Sequence, residues 1–219
     1  MNDTSVPVRA SRKSGTRPVA AASAREITGA RRGATAPPVV AIRLDPPPCA
    51  AGDVPFAFWE VKKRDLERHP KVALQSLLYR VKECPPVRLF DVVERGVPTD
   101  VVLLLAGAFG NSAAWAMNLI GVSETTFRRK EEANEPLPEV AGHRVMGFLR
   151  IVATLQRLLD ESGDAALVAA FDLEGWVSDW IRNPLPELGG KTAAEMLRNP
   201  EGQRAVVELL ERMRGGLPA

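Results

Sequence analysis

A turn-rich stretch near the carboxyl end, NPLPELGGKTAAEMLRNPEGQ at residues 183–203, constrains the fold more than any other part of the chain. It places three prolines and three glycines between two stretches with helical periodicity. Pro184 ends the first of these, because proline lacks a backbone donor and disfavours helix at the residue before it. Gly189 and Gly190 allow the chain to turn closely. We therefore expect a compact helical unit with stiff turns.

The helices on either side of these turns have clear sequence signals. Thr192 and Glu195 have the T-x-x-E spacing of a capping box, and Asn199 with Pro200 supplies a cap followed by a first-turn proline. The preceding segment, LEGWVSDWIRNP, is predicted to be an amphipathic helix. Its apolar face carries Trp176, Val177, Trp180 and Ile181. Tryptophans at i and i+4 usually belong to a core, so we expect both to be core residues.

Helical periodicity also dominates residues 56–162, and no run of alternating strand residues interrupts it. Thr99, Ser112 and Ser123 each stand at the start of a predicted helix and are predicted helix caps. A longer helix is expected from Glu139 onward. The predicted fold class is all-α, and helices this short require packing against each other for stability.

The first 55 residues differ from the rest in composition. They contain no aromatic side chain and are rich in alanine, proline, arginine, serine and threonine, so we expect a disordered tail. This tail carries eight basic and four acidic residues, which leaves 21 basic and 23 acidic residues for the remainder of the chain. The tail is therefore basic, while the body is close to neutral and slightly acidic.

Several function classes have no support in the sequence. Cys49 and Cys84 are not in a CxxC pair and no histidine has ligand spacing, so no metal site is expected. Neither His69 nor His143 has a neighbour that suggests a catalytic unit, and no phosphate-binding glycine motif is present. We expect no enzyme, no catalytic residues and no cofactor. No apolar run is long enough to span a bilayer, and we expect a reduced, cytoplasmic protein without membrane association.

Residues 113–132 match the helix-turn-helix pattern. Gly121 is placed in the turn, and the residues predicted to hold the two helices together are Ala116, Ile120, Val122 and Phe127. The second helix is predicted to expose hydroxyl and basic side chains, which can contact phosphates or base edges in a DNA major groove. These candidate DNA-binding residues are Ser123, Thr125, Thr126, Arg128, Arg129 and Lys130.

An ordinary helical hairpin is an equally open interpretation of this segment. Met117 stands where a small residue is usual, and Lys130 stands where a second apolar anchor is common. Glu131 and Glu132 follow immediately and would repel nearby phosphates. In that interpretation the sequence RRK is a solvated helix face.

Residues 96–219 resemble the Xre/MbcA/ParS antitoxins. The segments that carry the resemblance are Trp180-Ile181, NPLPELGGKTAAEML, Gly202, Val206 and LLERMRGG, which look like the toxin-binding domain. The segment GVSETTFRR resembles the Xre-like helix-turn-helix that precedes that domain. The family usually has proline where this chain has Ala193.

This resemblance implies a type II antitoxin that neutralises a RES-type, NAD-consuming toxin and represses its own operon by binding operator DNA. A homodimer and a hetero-oligomer with the toxin are expected. The implied toxin-binding residues are Trp180, Leu188, Gly189, Gly190, Lys191, Arg212, Arg214, Gly215 and Gly216. The predicted parts of the chain are a tail (1–55), a helical extension (56–98), a helix-turn-helix domain (99–162) and a toxin-binding domain (163–219). A stand-alone transcriptional regulator, or a protein-binding module without a toxin, remains the alternative.

Overall fold

The chain folds into a series of helices whose ends lie at or near the caps and turns predicted from the sequence. The computed structural model describes residues 58–61, 63–161, 163 and 165–214, which lie within the compact unit Ile42–Ala219. The predicted disordered tail, residues 1–55, lies outside the described residues. The all-α prediction is confirmed. The elements are α1 (Lys63–Arg68), α2 (Pro70–Glu83), α3 (Pro86–Glu94), α4 (Asp100–Ala108), α5 (Ala113–Ile120), α6 (Glu124–Glu132), α7 (Glu139–Asp160), α8 (Ala165–Ala170), α9 (Leu173–Trp180), β1 (Pro184–Leu185), a 3-10 helix (Pro186–Leu188), β2 (Lys191–Thr192), α10 (Ala193–Met196) and α11 (Pro200–Arg214).

Two of the three predicted helix caps in the middle of the chain form. The Ser112 side chain accepts a hydrogen bond from the Trp115 backbone amide, and Ser123 accepts one from Thr126. Thr99 makes no side-chain cap, so that prediction is wrong. Its own φ and ψ of −61° and −31° are already helical, whereas a capping residue adopts an extended conformation.

The long helix α7 forms the centre of the core. α2, α3, α5 and α11 all pack against it, and its middle is almost completely removed from water. The residues of α7 with no exposed surface are Val145, Phe148, Leu149, Ile151 and Val152. Gly147 gives α11 room to approach, because a Cβ there would overlap the Gln203 side chain. α7 therefore supports both the helix-turn-helix segment and the carboxyl-terminal helices.

Two very short strands form where the sequence predicts only turns. β1 and β2 pair antiparallel, with Pro184 opposite Thr192 and Leu185 opposite Lys191. They meet because Gly189 and Gly190 both adopt left-handed backbone angles, with φ of 65° and 76°. The Gly190 amide also donates to the Leu185 carbonyl at 3.0 Å. The predicted stiff turn is therefore a closed two-residue ladder.

Cys84 lies in the core at the end of α2.

Within the described segments, no single helix is both long enough and apolar enough to cross a membrane. Only α4 and α5 taken together satisfy the length and composition, and they are bent by 114° to each other.

Candidate functional site

The helix-turn-helix predicted at residues 113–132 is present as α5, a turn and α6. Gly121 has the left-handed φ of 71° that the turn requires, and its amide faces the carbonyls of Met117 and Asn118. The predicted inward-facing residues Ala116, Ile120, Val122 and Phe127 are all buried. This part of the prediction is confirmed.

Arg144, which no local sequence pattern marks, supports the turn from α7. Its Nη1 donates to the Ile120 carbonyl at 3.2 Å, one of the carbonyls that a helix end leaves without a partner. A Cβ at Gly121 would overlap this guanidinium and lie 2.9 Å from its Cζ. The glycine is therefore required both for its backbone angle and for the space that Arg144 occupies.

The candidate DNA-binding residues do not all lie on one open face. Thr125, Arg128 and Arg129 are exposed and line a shallow groove with Glu124 and Glu132. Ser123 and Thr126 are engaged in the cap, where the Ser123 hydroxyl donates to Thr126 Oγ1 at 2.9 Å. The exposed surface for a ligand therefore consists mainly of one threonine and two arginines.

Lys130 does not lie on the exposed face that the sequence predicts. Its side chain is only 21 % exposed, and its Nζ lies 2.8 Å from Glu135 Oε2. This hydrogen bond to Lys130 is the largest cause of a lowered pKa at Glu135. Lys130 is in the last turn of α6. Its side chain therefore contacts the loop that leads to α7 and does not join Arg128 and Arg129 on the exposed face.

Acidic side chains reduce the positive charge of this face. Arg128 donates through Nε and Nη2 to one oxygen of Glu124, at 3.0 and 2.6 Å. Glu131 and Glu132 are exposed beside it. A phosphate that approaches Arg128 must therefore displace Glu124, at a modest cost because exposed ion pairs contribute little.

The turn unit between α9 and α11 is assembled as the sequence predicts. The Thr192 amide donates to Glu195 Oε2 at 2.9 Å, and the Glu195 amide donates to Thr192 Oγ1 at 3.1 Å. The Thr192 amide and, at 3.2 Å, its hydroxyl both donate to the Glu195 carboxylate and lower the pKa of Glu195, with the amide as the largest cause. Asn199 Oδ1 accepts from the Gly202 amide at 2.8 Å and so caps α11.

Trp180 lies on α9, and six of the other predicted toxin-binding residues fall into three groups. Gly189, Gly190 and Lys191 are exposed at the tip of the β1–β2 turn. Leu188 is buried beneath that turn, so it shapes the surface without forming part of it. Arg212 and Arg214 are exposed at the end of α11. Gly215 and Gly216 lie outside the described residues.

The ion pairs of Arg214 distinguish it from Arg212. Its Nη1 lies 3.2 Å from Glu161 Oε2, and its Nε lies 3.2 Å from Glu211 Oε2. Glu211 also pairs with Arg157 of α7. Arg214 therefore helps to fasten the end of α11 to the end of α7.

The four apolar residues predicted for one face of α9 are divided between the core and the surface. Val177 and Ile181 are buried, whereas Trp176 is 39 % exposed and Trp180 is half-buried. The two indoles are stacked, with centroids 5.4 Å apart and planes within 15°. The expectation that Trp176 belongs to the core is therefore wrong, because the row of Val177 and Ile181 already fills the contact with the rest of the molecule.

Polar contacts that are distant in sequence fix α9 against the amino-terminal helices. Asn111 Nδ2 donates to Ser178 Oγ at 3.0 Å, and Lys71 Nζ lies 2.6 Å from Asp172 Oδ1 and 3.2 Å from Glu174 Oε2. The hydrogen bond to Asp172 raises the pKa of Lys71, and the same bond lowers that of Asp172. Gln75 also donates to Glu174 at 3.3 Å. The sequence could not reveal these contacts, because the partners are separated by 67 to 103 positions.

Glu94, Glu139 and His143 bring their ligand atoms within 4.8 Å of one another. Sequence spacing could not predict this arrangement, since Glu94 comes from α3 and the other two from α7. Histidine and carboxylates are groups that bind zinc. Both glutamates are exposed, however, and exposed acidic groups of this kind are common without an ion, so the trio alone does not define a site.

Comparison with known proteins identifies both halves of this architecture. The family model of the antitoxin Xre-like helix-turn-helix domain matches residues 88–150, and that of the antitoxin Xre/MbcA/ParS C-terminal toxin-binding domain matches residues 166–216. The chain is 30 % identical over 139 residues to the Prs ADP-ribosylating antitoxin of Sphingobium sp. (strain YBL2). That alignment covers 64 % of this chain and 84 % of the relative.

Proposed function

We propose, since this chain belongs to the Xre/MbcA/ParS antitoxin family, that it neutralises a cognate toxin by direct binding through its carboxyl-terminal helices. The observation that carries this proposal is the match of the toxin-binding domain to residues 166–216, the range that contains α9, the β1–β2 turn, α10 and α11. A turn fixed by a strand ladder and two caps loses little entropy on binding, which favours tight association.

The toxin is proposed to be an enzyme of the RES type that consumes NAD. The family resemblance of the sequence supports this class. The name of the Sphingobium relative, Prs ADP-ribosylating antitoxin, links that protein to ADP-ribosylation, a reaction in which NAD supplies the ADP-ribose group. Growth of a host that expresses the neighbouring toxin gene, with and without this chain, tests the proposal. Continued growth arrest in the presence of the antitoxin would refute it.

The end of α11 is proposed to reach toward the toxin's active site. Of the two arginines there, Arg212 is the better candidate for contact with the toxin, because Arg214 already pairs with Glu161 and Glu211. Truncation after Leu210 is expected to preserve part of the binding and to restore toxicity. Arg212→Ala in the full chain is the milder test, and full protection by both variants would remove this segment from the mechanism.

The α5–α6 unit is proposed to bind the operator of the chain's own operon as part of a repressor. Support comes from the helix-turn-helix match and from exposed Thr125, Arg128 and Arg129 on one face of α6. Gel shifts on the promoter test this proposal. Replacing both arginines with alanine should abolish the shift, whereas Arg204→Ala, an exposed arginine of α11, should leave it unchanged. An unaltered shift in the double variant would place DNA binding elsewhere.

One observation favours the alternative, a protein-binding module that does not bind DNA. Arg128 is neutralised by Glu124, and Glu131 and Glu132 add negative charge to the same helix. Because non-specific DNA affinity comes mainly from phosphate neutralisation, such a face binds weakly. Glu124→Gln separates the two cases. If α6 lies in the DNA major groove, this substitution should strengthen the gel shift on promoter DNA. If α6 does not bind DNA, the gel shift should not change.

A homodimer is proposed to form through α3. Val87 and Phe90, three positions apart on this helix, are 74 % and 62 % exposed. The charges beside them are self-complementary: Arg88 lies in the first half of the helix and Glu94 at its end. In an antiparallel pair of α3 helices, Arg88 of each copy would lie near Glu94 of the other, with Val87 and Phe90 between these ion pairs. Such self-complementarity is the property of a twofold interface. Sedimentation of Phe90→Asp should give a monomer, and a persisting dimer would exclude this surface.

A further inference from the structure

Three aromatic rings form a continuous row on the surface of the carboxyl-terminal part. The Phe171 ring lies 6.2 Å from Trp176, which in turn stacks on Trp180 at 5.4 Å. We call these three residues the aromatic ladder. Phe171 and Trp176 are 41 % and 39 % exposed, so the row presents a large apolar surface to water.

The fold itself does not account for the exposure of these rings. The core contacts of α9 are made by Leu173, Val177 and Ile181, all of which are buried. Trp176 lies beside that row and could be much smaller without opening the core. Contiguous exposed apolar groups of this kind mark binding surfaces, and tryptophan is the residue type most enriched at interaction hot spots.

The charge around the ladder indicates which partner fits it. Residues 171–190 contain four acids and one base. Asp172 and Asp179, which flank the rings, have side chains 64 % and 81 % exposed and pair with Lys71 and Arg182. Such exposed pairs contribute little, so a cation of a partner can take the place of either base at a modest cost. Aromatic faces also attract guanidinium and ammonium groups. The surface therefore matches a basic partner that can place an arginine or lysine against the rings.

We propose that the aromatic ladder is the anchor of the toxin interface and receives a basic patch of the cognate toxin. The inference rests on the proposed function, since it identifies the docking surface within the toxin-binding part. The toxin is chosen over other occupants for two reasons: the ladder lies entirely inside the matched range 166–216, and the excess of acids over bases in residues 171–190 favours a partner of opposite charge. Attraction of this kind raises the association rate and is weakened by salt.

The test is the affinity of purified toxin for full-length variants of this chain. Trp176→Ala should weaken binding by about 30-fold or more, the range of an aromatic hot spot. Trp176→Lys should weaken it further, because it places a positive charge against a basic patch. Val140→Ala, an exposed apolar residue on α7 outside both proposed interfaces, should bind like the wild type. Circular dichroism and thermal melts confirm that each variant is folded.

The salt dependence of binding provides a second readout. Wild-type affinity should fall as NaCl is raised, and Asp179→Asn should reduce that dependence. If both Trp176 variants bind with full affinity a toxin that the wild type binds, the aromatic ladder is not the anchor of the toxin interface, and the proposed function is unaffected. Loss of self-association with unchanged toxin affinity would assign the ladder to a second copy and also overturn the inference. A wild type that binds no toxin would overturn both.

Discussion

The contact between Gly121 and Arg144 makes a quantitative prediction about the helix-turn-helix. Gly121 has φ of 71°, so alanine there costs about 1–2 kcal/mol in backbone strain alone. The new Cβ would also displace the Arg144 guanidinium and break its hydrogen bond to the Ile120 carbonyl, which adds about 1.5–3 kcal/mol for a charged donor. Gly121→Ala should therefore destabilise the protein by about 2.5–5 kcal/mol in total.

Gly110 provides a matched control in the same part of the chain. Its φ of 61° is also left-handed, but nothing lies within 4 Å of the position of its Cβ. Gly110→Ala should therefore cost only the backbone term, about 1–2 kcal/mol. Urea unfolding followed by far-UV circular dichroism measures both values.

A double-mutant cycle separates the steric term from the backbone term. In an Arg144→Ala background the obstacle is absent, so adding Gly121→Ala should cost only about 1–2 kcal/mol. If Gly121→Ala and Gly110→Ala lower the free energy of unfolding equally in the wild-type background, Arg144 has no steric role. The same conclusion follows if Gly121→Ala is equally destabilising with and without Arg144→Ala.

Three further predictions concern the carboxyl-terminal turns. Gly202→Ala should lower stability by about 1–3 kcal/mol, because its Cβ would come within 2.9 Å of the Met196 carbonyl carbon, and the urea midpoint measures the loss. Thr192→Ala removes the capping box and should cost about 1 kcal/mol, seen as a melting temperature lower by about 2–4 °C; no change would show that the box does not contribute. Folding lowers the pKa of Glu195, so its ionised carboxylate stabilises the fold at pH values above the unfolded pKa of about 4.3. This contribution is lost as the pH falls through the folded pKa. Glu195→Gln should therefore flatten the acid limb of the stability profile, and an identical limb would contradict the assignment.

The sequence by itself determined the local structure. The turn at Gly121, the caps at Ser112 and Ser123, and the capping box of Thr192 and Glu195 were all predicted and all form. These features involve groups no more than a few residues apart, so their geometry follows from the local backbone and the side chain present. The helical periodicity and the antitoxin resemblance rest on the same short-range spacings.

Only the tertiary structure decided which side chains face water and which contacts join distant segments. Trp176 and Val177 are neighbours on the same predicted face, yet one is exposed and the other is buried, because the helices that pack against α9 cover only part of that face. The contact of Arg144 with Ile120 joins residues 24 positions apart, and that of Asn111 with Ser178 spans 67. Such pairs depend on how whole helices pack, which no local spacing in the sequence specifies.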